Sequence, residues 1–546
     1  SYSRISENLG VAVVTSGPGA TNAITGILGA WIESVPLIII SGQVKTSDIK
    51  KHLKLRQQGV QGANILKMVN HITKFSISLT RKSNINEILN KCVNIAKSGR
   101  GGPVWLEVPL DVQAKLINNK IKKENIIKKE IKIARSQIQK IKKLVRESER
   151  PLFLIGHGVR LSKAEIIFKK VIEKLNIPCV FTWNAMDLLG HDHKLNYGKP
   201  GIVAQRYPNF VLQNSDLLIS IGCRIDNVIT AFNEKNFAPN AKKIIVDIDS
   251  EEIKKFEFKN CFKLKSDAKI FFENINKEKI IVNKNNKTWL ETCSRWKKSF
   301  NYKNEKKITK TKNRFSHYSA VEILSKNLPD NKLICTGSSG LAVEVFYSIF
   351  RNKKKQRIFL TSGLGSMGYG IPASIGATFA SKKPTFLIEG DGSFQQNIQE
   401  LAVISQFKLP ITIFLFNNNG YCSIKNTQKN YFNKRFVGTG SYSNLMFPDT
   451  KKICEAYRIK YIKIKDQKEL MSKIKNIVKN IIKPQIIEII LDENEILAPK
   501  VSAMPQKNGN IISMPLEDMS PLLPLKQLEK EMLFSLSKSS YLVKRK

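Results

Sequence analysis

Gly390-Asp391-Gly392-Ser393 and the later run Asn417-Asn418-Asn419 are the residues whose types and spacing could do the most specific chemistry in this chain. An Asp carboxylate and an Asn amide oxygen are hard oxygen ligands, suited to Mg2+. Mg2+ keeps few protein ligands and completes its octahedron with waters and substrate phosphates. The glycines let backbone approach a bound group closely. A helix that starts just after the loop points its N–H groups at an anion. The pair therefore reads as a Mg2+–diphosphate site. Either half alone reads as well as an Asp-Gly turn or an Asn-rich loop. Here both occur together, with Asn418 27 residues after Asp391.

These loops need a sheet behind them. An apolar strand at 386–388 precedes the first loop, a helix is expected over 397–407, and a second apolar strand at 411–416 delivers the asparagines. Two parallel strands joined by a helix bring both loops to one carboxyl-end edge, where open α/β sheets bind ligands. The same alternation runs through most of the chain. Residues 1–115 predict strands at 11–14, 35–41 and 104–108, with helices at 20–33, 64–69 and 86–96. A Lys/Ile-rich linker follows at 115–135. A second unit, 136–280, predicts strands at 152–155, 179–182, 217–221 and 243–248. Its first strand ends in Gly156-His157-Gly158, a Gly-x-Gly that is by itself a weak dinucleotide signal. A polar linker is expected at 282–312, the third unit at 315–495, and a Pro-bearing arm packed over the surface at 496–546. The fold class is α/β, with three doubly wound parallel-sheet domains.

The chain has 546 residues, enough for about three domains. No apolar run approaches the roughly 18 residues of a membrane span, and no membrane partner is expected. Lys and Arg number 90 against 45 Asp and Glu, a net charge of +45. That balance is open to a nucleic-acid or anionic-surface partner. The basic residues are scattered rather than interleaved with aromatics along a groove, so a drift in composition toward Lys, Ile and Asn accounts for them, and no nucleic acid is expected. The eight cysteines lie far apart without a CxxC pair, so neither zinc nor a disulfide framework is suggested. Reduced thiols fit a cytoplasmic setting. His191-x-His193 reads as a polar loop.

The sequence GDGS followed by NN resembles the thiamine diphosphate signature of the pyruvate decarboxylase and acetolactate synthase superfamily. The resemblance implies that Asp391, Asn418 and the main-chain carbonyl of Gly420 hold Mg2+. On the acetolactate synthase branch it covers nearly the whole chain. Ser16-Gly17-Pro18-Gly19-Ala20-Thr21-Asn22 is similar to the loop of a pyrimidine-binding domain, with Asn22 on the cofactor. Gln43, in Ser41-Gly42-Gln43, and Gln61 resemble pocket glutamines with catalytic roles. Gly340, Gly365, Gly390, Gly392 and Ser393 match cofactor-binding positions. Met367, in Leu364-Gly365-Ser366-Met367-Gly368, matches the apolar wedge that holds the cofactor bent. Gly222-Cys223-Arg224 resembles the middle-domain segment that contacts FAD and the substrate carboxylate. Gly156, Gly158 and Arg224 are thus candidates for FAD or substrate contact, against the alternative of an inherited but empty middle domain. The implied order is pyrimidine-binding, middle and diphosphate-binding domains. The implied assembly is a homodimer or homotetramer with the active site between chains. The implied reaction is decarboxylation of a 2-oxo acid such as pyruvate, with carboligation to a second carbonyl. Simple decarboxylation and a non-catalytic paralogue are the alternatives.

Three departures from the pattern stand out. The family's activating Glu falls upstream of Ser1, which is not Met, so the chain is expected to be an N-terminally truncated fragment. Thr427 stands nine residues after Asn418, where acetolactate synthases carry a Trp that shapes acceptor choice, and Val60-Gln61-Gly62 replaces Phe-Gln-Glu. The tail, from Pro499 through Pro515-Leu516-Glu517-Asp518-Met519, resembles acetolactate synthase-like enzymes of surface-polysaccharide pathways, which implies a paralogue.

Overall fold

The computed structural model describes residues 1–49, 54–117, 132–305, 314–479, 481–505, 511–543 and 545. Most of the expected linker at 115–135, and 306–312 of the second one, lie outside these residues. The chain forms two compact units. One comprises Ser1–Glu130 with Thr361–Ser366 and Ile375–Lys382, and the other holds the rest.

The first unit carries a parallel sheet of β1 (Gly10–Val14), β2 (Leu37–Gln43), β3 (Phe75–Ser78) and β4 (Pro103–Pro109), in the order β1-β2-β4-β3. Ala20, Ile27, Ile39, Ile65, Val69 and Trp105 form its core on one face. The buried Trp105 indole donates to Ser41 Oγ at 2.9 Å, which satisfies its one polar atom. The single helix expected over 20–33 is two, Pro18–Asn22 and Ile24–Ile32.

The second unit carries two large sheets, besides two two-stranded antiparallel ones at Lys500–Val501 with Met519–Ser520 and at Ala503–Pro505 with Ile511–Ser513. The middle sheet contains β5 (Pro151–Ile155), β6 (Cys179–Phe181), β7 (Leu217–Ile221), β8 (Lys242–Asp247) and β9 (Cys261–Lys265), in the order β6-β5-β7-β8-β9. The third sheet contains β10 (Leu333–Thr336), β11 (Arg357–Phe359), β12 (Thr385–Gly390), β13 (Ile411–Asn417), β14 (Lys460–Ile464) and β15 (Gln485–Ile490), in the order β11-β10-β12-β13-β15-β14. All pairings in these sheets are parallel. Central strands such as Ile-Thr-Ile-Phe-Leu-Phe are buried on both faces, as a sheet covered by helices on both sides requires.

Two expectations fail in the second unit. The stretch expected as a polar linker holds a 14-residue helix, Asn286–Ser299, because Trp289, Cys293 and Trp296 recur at helical spacing and bury one stripe. The tail is no surface arm. Met514, Leu516, Met519, Leu528 and Met532 enter the same core as Leu152 and Leu218. Arg206, 1% exposed, fixes it there by donating from Nη1 to the Met519 carbonyl at 2.8 Å, from Nη2 to the Pro521 carbonyl, and from Nε to Glu305.

Candidate metal and diphosphate site

The third sheet has a topological switch beside β10. The chain goes from β10 to β11 on one side and later to β12 on the other. The loops after β10 (337–340), β12 (390–393) and β13 (418–420) therefore leave the same edge side by side, where open α/β sheets take ligands.

Asp391 is 5% exposed and opens the short helix Asp391–Gln395. The helix expected over 397–407 is broken as well, into a 3-10 turn Ile398–Glu400 and a helix Leu401–Gln406. Asp391 Oδ2 accepts from the backbone N–H of Asn418 at 3.1 Å and of Gly420 at 3.0 Å, and Oδ1 accepts from Gly392 N–H at 2.9 Å. These bonds lock the two loops into one unit. Burial nevertheless pushes the Asp391 carboxyl up to about 7, against the pull of those N–H groups. A cation beside it reverses that balance, because an opposite charge favours the ionised form.

Asn418 is 7% exposed, and its Oδ1 meets no hydrogen-bond partner. Its Nδ2 donates to His317 Nε2 at 3.1 Å, and His317 Nδ1 lies 2.7 Å from Glu495 Oε2. A second buried oxygen without a partner, Ser338 Oγ, follows β10, on the other side of β12. Each such orphan costs about 1–3 kcal/mol. Two on the strand ends flanking β12 mark a place built for a polar ligand. Among the described residues no group of three or more His, Cys, Asp or Glu could hold a metal. The donor set that the sequence resemblance implies, one carboxylate, one amide oxygen and a main-chain carbonyl, would suit Mg2+ that takes its remaining ligands from water and phosphate. On these observations the residues present fit a Mg2+–diphosphate group.

The glycines serve two purposes. Gly340 (φ +92) and Gly390 border open space, where a ligand can approach the backbone. Gly392 and Gly420 are required by packing: a Cβ would meet the Tyr421 ring at 2.2 Å and the Thr439 carbonyl at 2.1 Å. Ser393 Oγ accepts from Gly368 N–H at 2.9 Å, and Asn397 Nδ2 donates to the Gly368 carbonyl at 2.8 Å. These two bonds clamp the turn holding Met367, which touches Gln396, onto the GDGS segment. Gly365 makes a left-handed turn (φ 65) and donates to the Thr361 carbonyl at 3.0 Å.

In the middle sheet Gly156 and Gly158 are explained by backbone packing. A Cβ on Gly156 would lie 2.0 Å from the Gly222 carbonyl, and one on Gly158 2.6 Å from Gly222 Cα. They carry no argument for a flavin. Arg224 is half-buried, 3.8 Å from Asp226.

The first unit has its own cleft of about 920 Å3 at the carboxyl ends of β2, β3 and β4. Gln43 lines it, held by bonds from Nε2 to the Ala63 carbonyl (2.8 Å) and to Glu107 Oε1 (2.9 Å), and from Val44 N–H to Oε1 (2.9 Å). Burial raises the Glu107 carboxyl, while Ser78 and Gln43 pull it back. Gln61 is not among the residues lining this cleft. It is exposed in a left-handed turn (φ 59), its carbonyl against Gly17. Asn22 is exposed at the end of its helix.

Sequence reasoning missed His317, Glu495, Ser338 and Glu389 as site residues. Glu389 carried a signal in hindsight: a carboxylate inside an apolar strand needs room, and Gly337 and Gly370 supply it, since a Cβ on either would fall within 2.2 Å of its oxygens.

Known proteins resemble this chain over most of its length. Residues 336–489 match the family model for the thiamine pyrophosphate enzyme C-terminal TPP binding domain, 138–275 the central domain, and 1–71 the N-terminal TPP binding domain. The acetolactate synthase large subunit of Cyanidium caldarium is 31% identical over 518 residues, 92% of this chain and 85% of the relative. That of Buchnera aphidicola subsp. Schizaphis graminum is 30% identical over 511 residues, 91% and 86%. That of Lactococcus lactis subsp. lactis is 29% identical over 518 residues, 92% and 85%.

Proposed function

Because the chain belongs to the thiamine pyrophosphate enzymes, on the branch of the acetolactate synthase large subunits, we propose that it decarboxylates a 2-oxo acid, pyruvate first among candidates, and joins the remaining acyl unit to a second carbonyl compound. The observation that carries the reading is the pair of orphaned buried oxygens, Ser338 Oγ and Asn418 Oδ1, at the ends of β10 and β13 on either side of the Asp391 loop.

Asp391, Asn418 Oδ1 and the Gly420 carbonyl would hold Mg2+, and Ser338 with the open backbone at Gly340 and Gly390 would receive the diphosphate. Thiamine diphosphate, when bound, supplies the electron sink that accepts the pair left behind as CO2 departs. The chain's own residues orient and enclose. Ser393 and Asn397 hold the Met367 turn on the GDGS segment, so the thioether is presented from a fixed support. Gln43, fixed by three bonds, offers a rigid amide wall in the cleft of the first sheet. Thr427 is exposed on the helix Cys422–Tyr431, its hydroxyl turned back to the Ser423 carbonyl at 3.1 Å, so no bulky ring narrows that position for an acceptor. A homodimer or homotetramer sharing its active sites between chains is part of the proposal.

Product analysis with pyruvate as the only donor tests it. The expected result is CO2 release dependent on both Mg2+ and thiamine diphosphate, with 2-acetolactate as product. Acetaldehyde alone would replace carboligation by simple decarboxylation, and cofactor-independent turnover would refute the reading.

A further inference from the structure

His317 is fully buried at the first position of the helix His317–Asn327, remote in sequence from the motif it serves. Three contacts surround its ring and backbone. Glu495 Oε2 accepts from His317 backbone N–H at 2.6 Å and lies 2.7 Å from Nδ1. Asn418 Nδ2 lies 3.1 Å from Nε2. The Phe416 ring packs edge-on, with centroids 6.0 Å apart. Glu495 is 1% exposed and also accepts from Ser316 Oγ, so its position is fixed independently of the imidazole.

The tautomer follows from the partners. A carboxylate only accepts, so Nδ1 carries its hydrogen toward Glu495. Asn418 presents its NH2 group to Nε2, which accepts it in the neutral ring. An amide has its oxygen and nitrogen on opposite sides of one carbon. Fixing Nδ2 on the imidazole therefore turns Oδ1 away from the ring, where it is buried and meets no partner. Without the ring, rotation by half a turn exchanges oxygen for nitrogen at little steric cost, and an NH2 group cannot ligate a cation.

We propose that His317, oriented by Glu495, is a positioning residue that selects the rotamer of Asn418 whose amide oxygen is presented to Mg2+. This rests on the Mg2+–diphosphate reading of the site and extends it to residues outside the motif. Groups one step removed from a metal commonly set its affinity by about 10–100-fold.

Two substitutions separate the two bonds of the ring. The Asn amide overlays Nδ1 of His, and the Gln amide overlays Nε2. His317→Asn keeps a donor for Glu495 and loses the acceptor for Asn418, whereas His317→Gln keeps an oxygen for Asn418 and loses the Glu495 bond. Both remain polar in the buried slot, and melting of the metal-free protein monitors the fold. Mn2+ serves as the probe, with free ion measured by electron paramagnetic resonance at saturating thiamine diphosphate. The expected result is about tenfold or greater weakening of Mn2+ binding in His317→Asn, with His317→Gln within about threefold of wild type. A merely structural role does not rank the two variants in this order. The inference is overturned if His317→Asn binds Mn2+ within about threefold of wild type, or if both variants lose affinity equally. A wild-type chain that binds no Mn2+ with thiamine diphosphate present contradicts the functional reading itself, and the inference with it.

Discussion

Gly420 cannot take a side chain without moving the loop that carries Asn418. Its φ of +141 disfavours L-residues, and a Cβ would stand 2.1 Å from the Thr439 carbonyl. Gly420→Ala is expected to cost roughly 1–3 kcal/mol of stability and, through the displaced Gly420 N–H to Asp391 bond, to weaken Mg2+ binding; thermal melting with Mg2+ titration checks both. At this scale the sequence was most informative at the two loops that the structure joins through Asp391. Asp391 and Asn418 were legible because an apolar strand precedes each loop and the chain between them has room for one crossover. Their supports were not. His317 lies 101 residues from Asn418 and 178 from Glu495, and a lone His after a Ser looks like any helix start. The Asn22 and Gln61 assignments came from pattern alone, and both side chains are exposed in the structure.

Elements whose apolar pattern is strong were legible, and the misses have a physical reason. β3 is half-buried throughout, and β9, Cys-Phe-Lys-Leu-Lys, keeps only Leu264 buried. Both are edge strands with too few buried positions to stand out from a loop. The tail was misread because its polar, Pro-bearing composition hides a row of Met and Leu that enters the middle core. Its buried Glu517 gives a test. Glu517 accepts from Gln213 Nε2 at 2.7 Å, and burial pushes its carboxyl from 4.5 up to about 7. A raised carboxyl means the folded state holds the proton longer than the unfolded one. Its contribution is fully present below pH 4.5 and is lost as pH rises through about 7. Glu517→Gln keeps the bond without the charge. Its stability relative to wild type should therefore rise between pH 4.5 and 8 by up to roughly 3 kcal/mol, measured by urea unfolding at each pH. A difference that does not vary with pH would place Glu517 in a wetter setting than the packed tail provides.

Across the whole molecule the net charge is +45. No helix of the described residues is long and apolar enough to cross a membrane. Long-range attraction steers anions and is screened by salt. The association rate of thiamine diphosphate is expected to fall roughly tenfold between low salt and about 0.5 M NaCl in stopped-flow measurements, with a much smaller effect on dissociation. The central claim, that Asp391 and Asn418 form a Mg2+ site for a diphosphate, is tested most directly by calorimetric titration of thiamine diphosphate with and without Mg2+, on wild type and Asp391→Ala. Binding is expected to require Mg2+ and to weaken at least about 100-fold in the variant, since the only carboxylate among the three proposed ligands is gone. Equal binding with and without Mg2+, or an Asp391→Ala variant that binds like wild type, would contradict it.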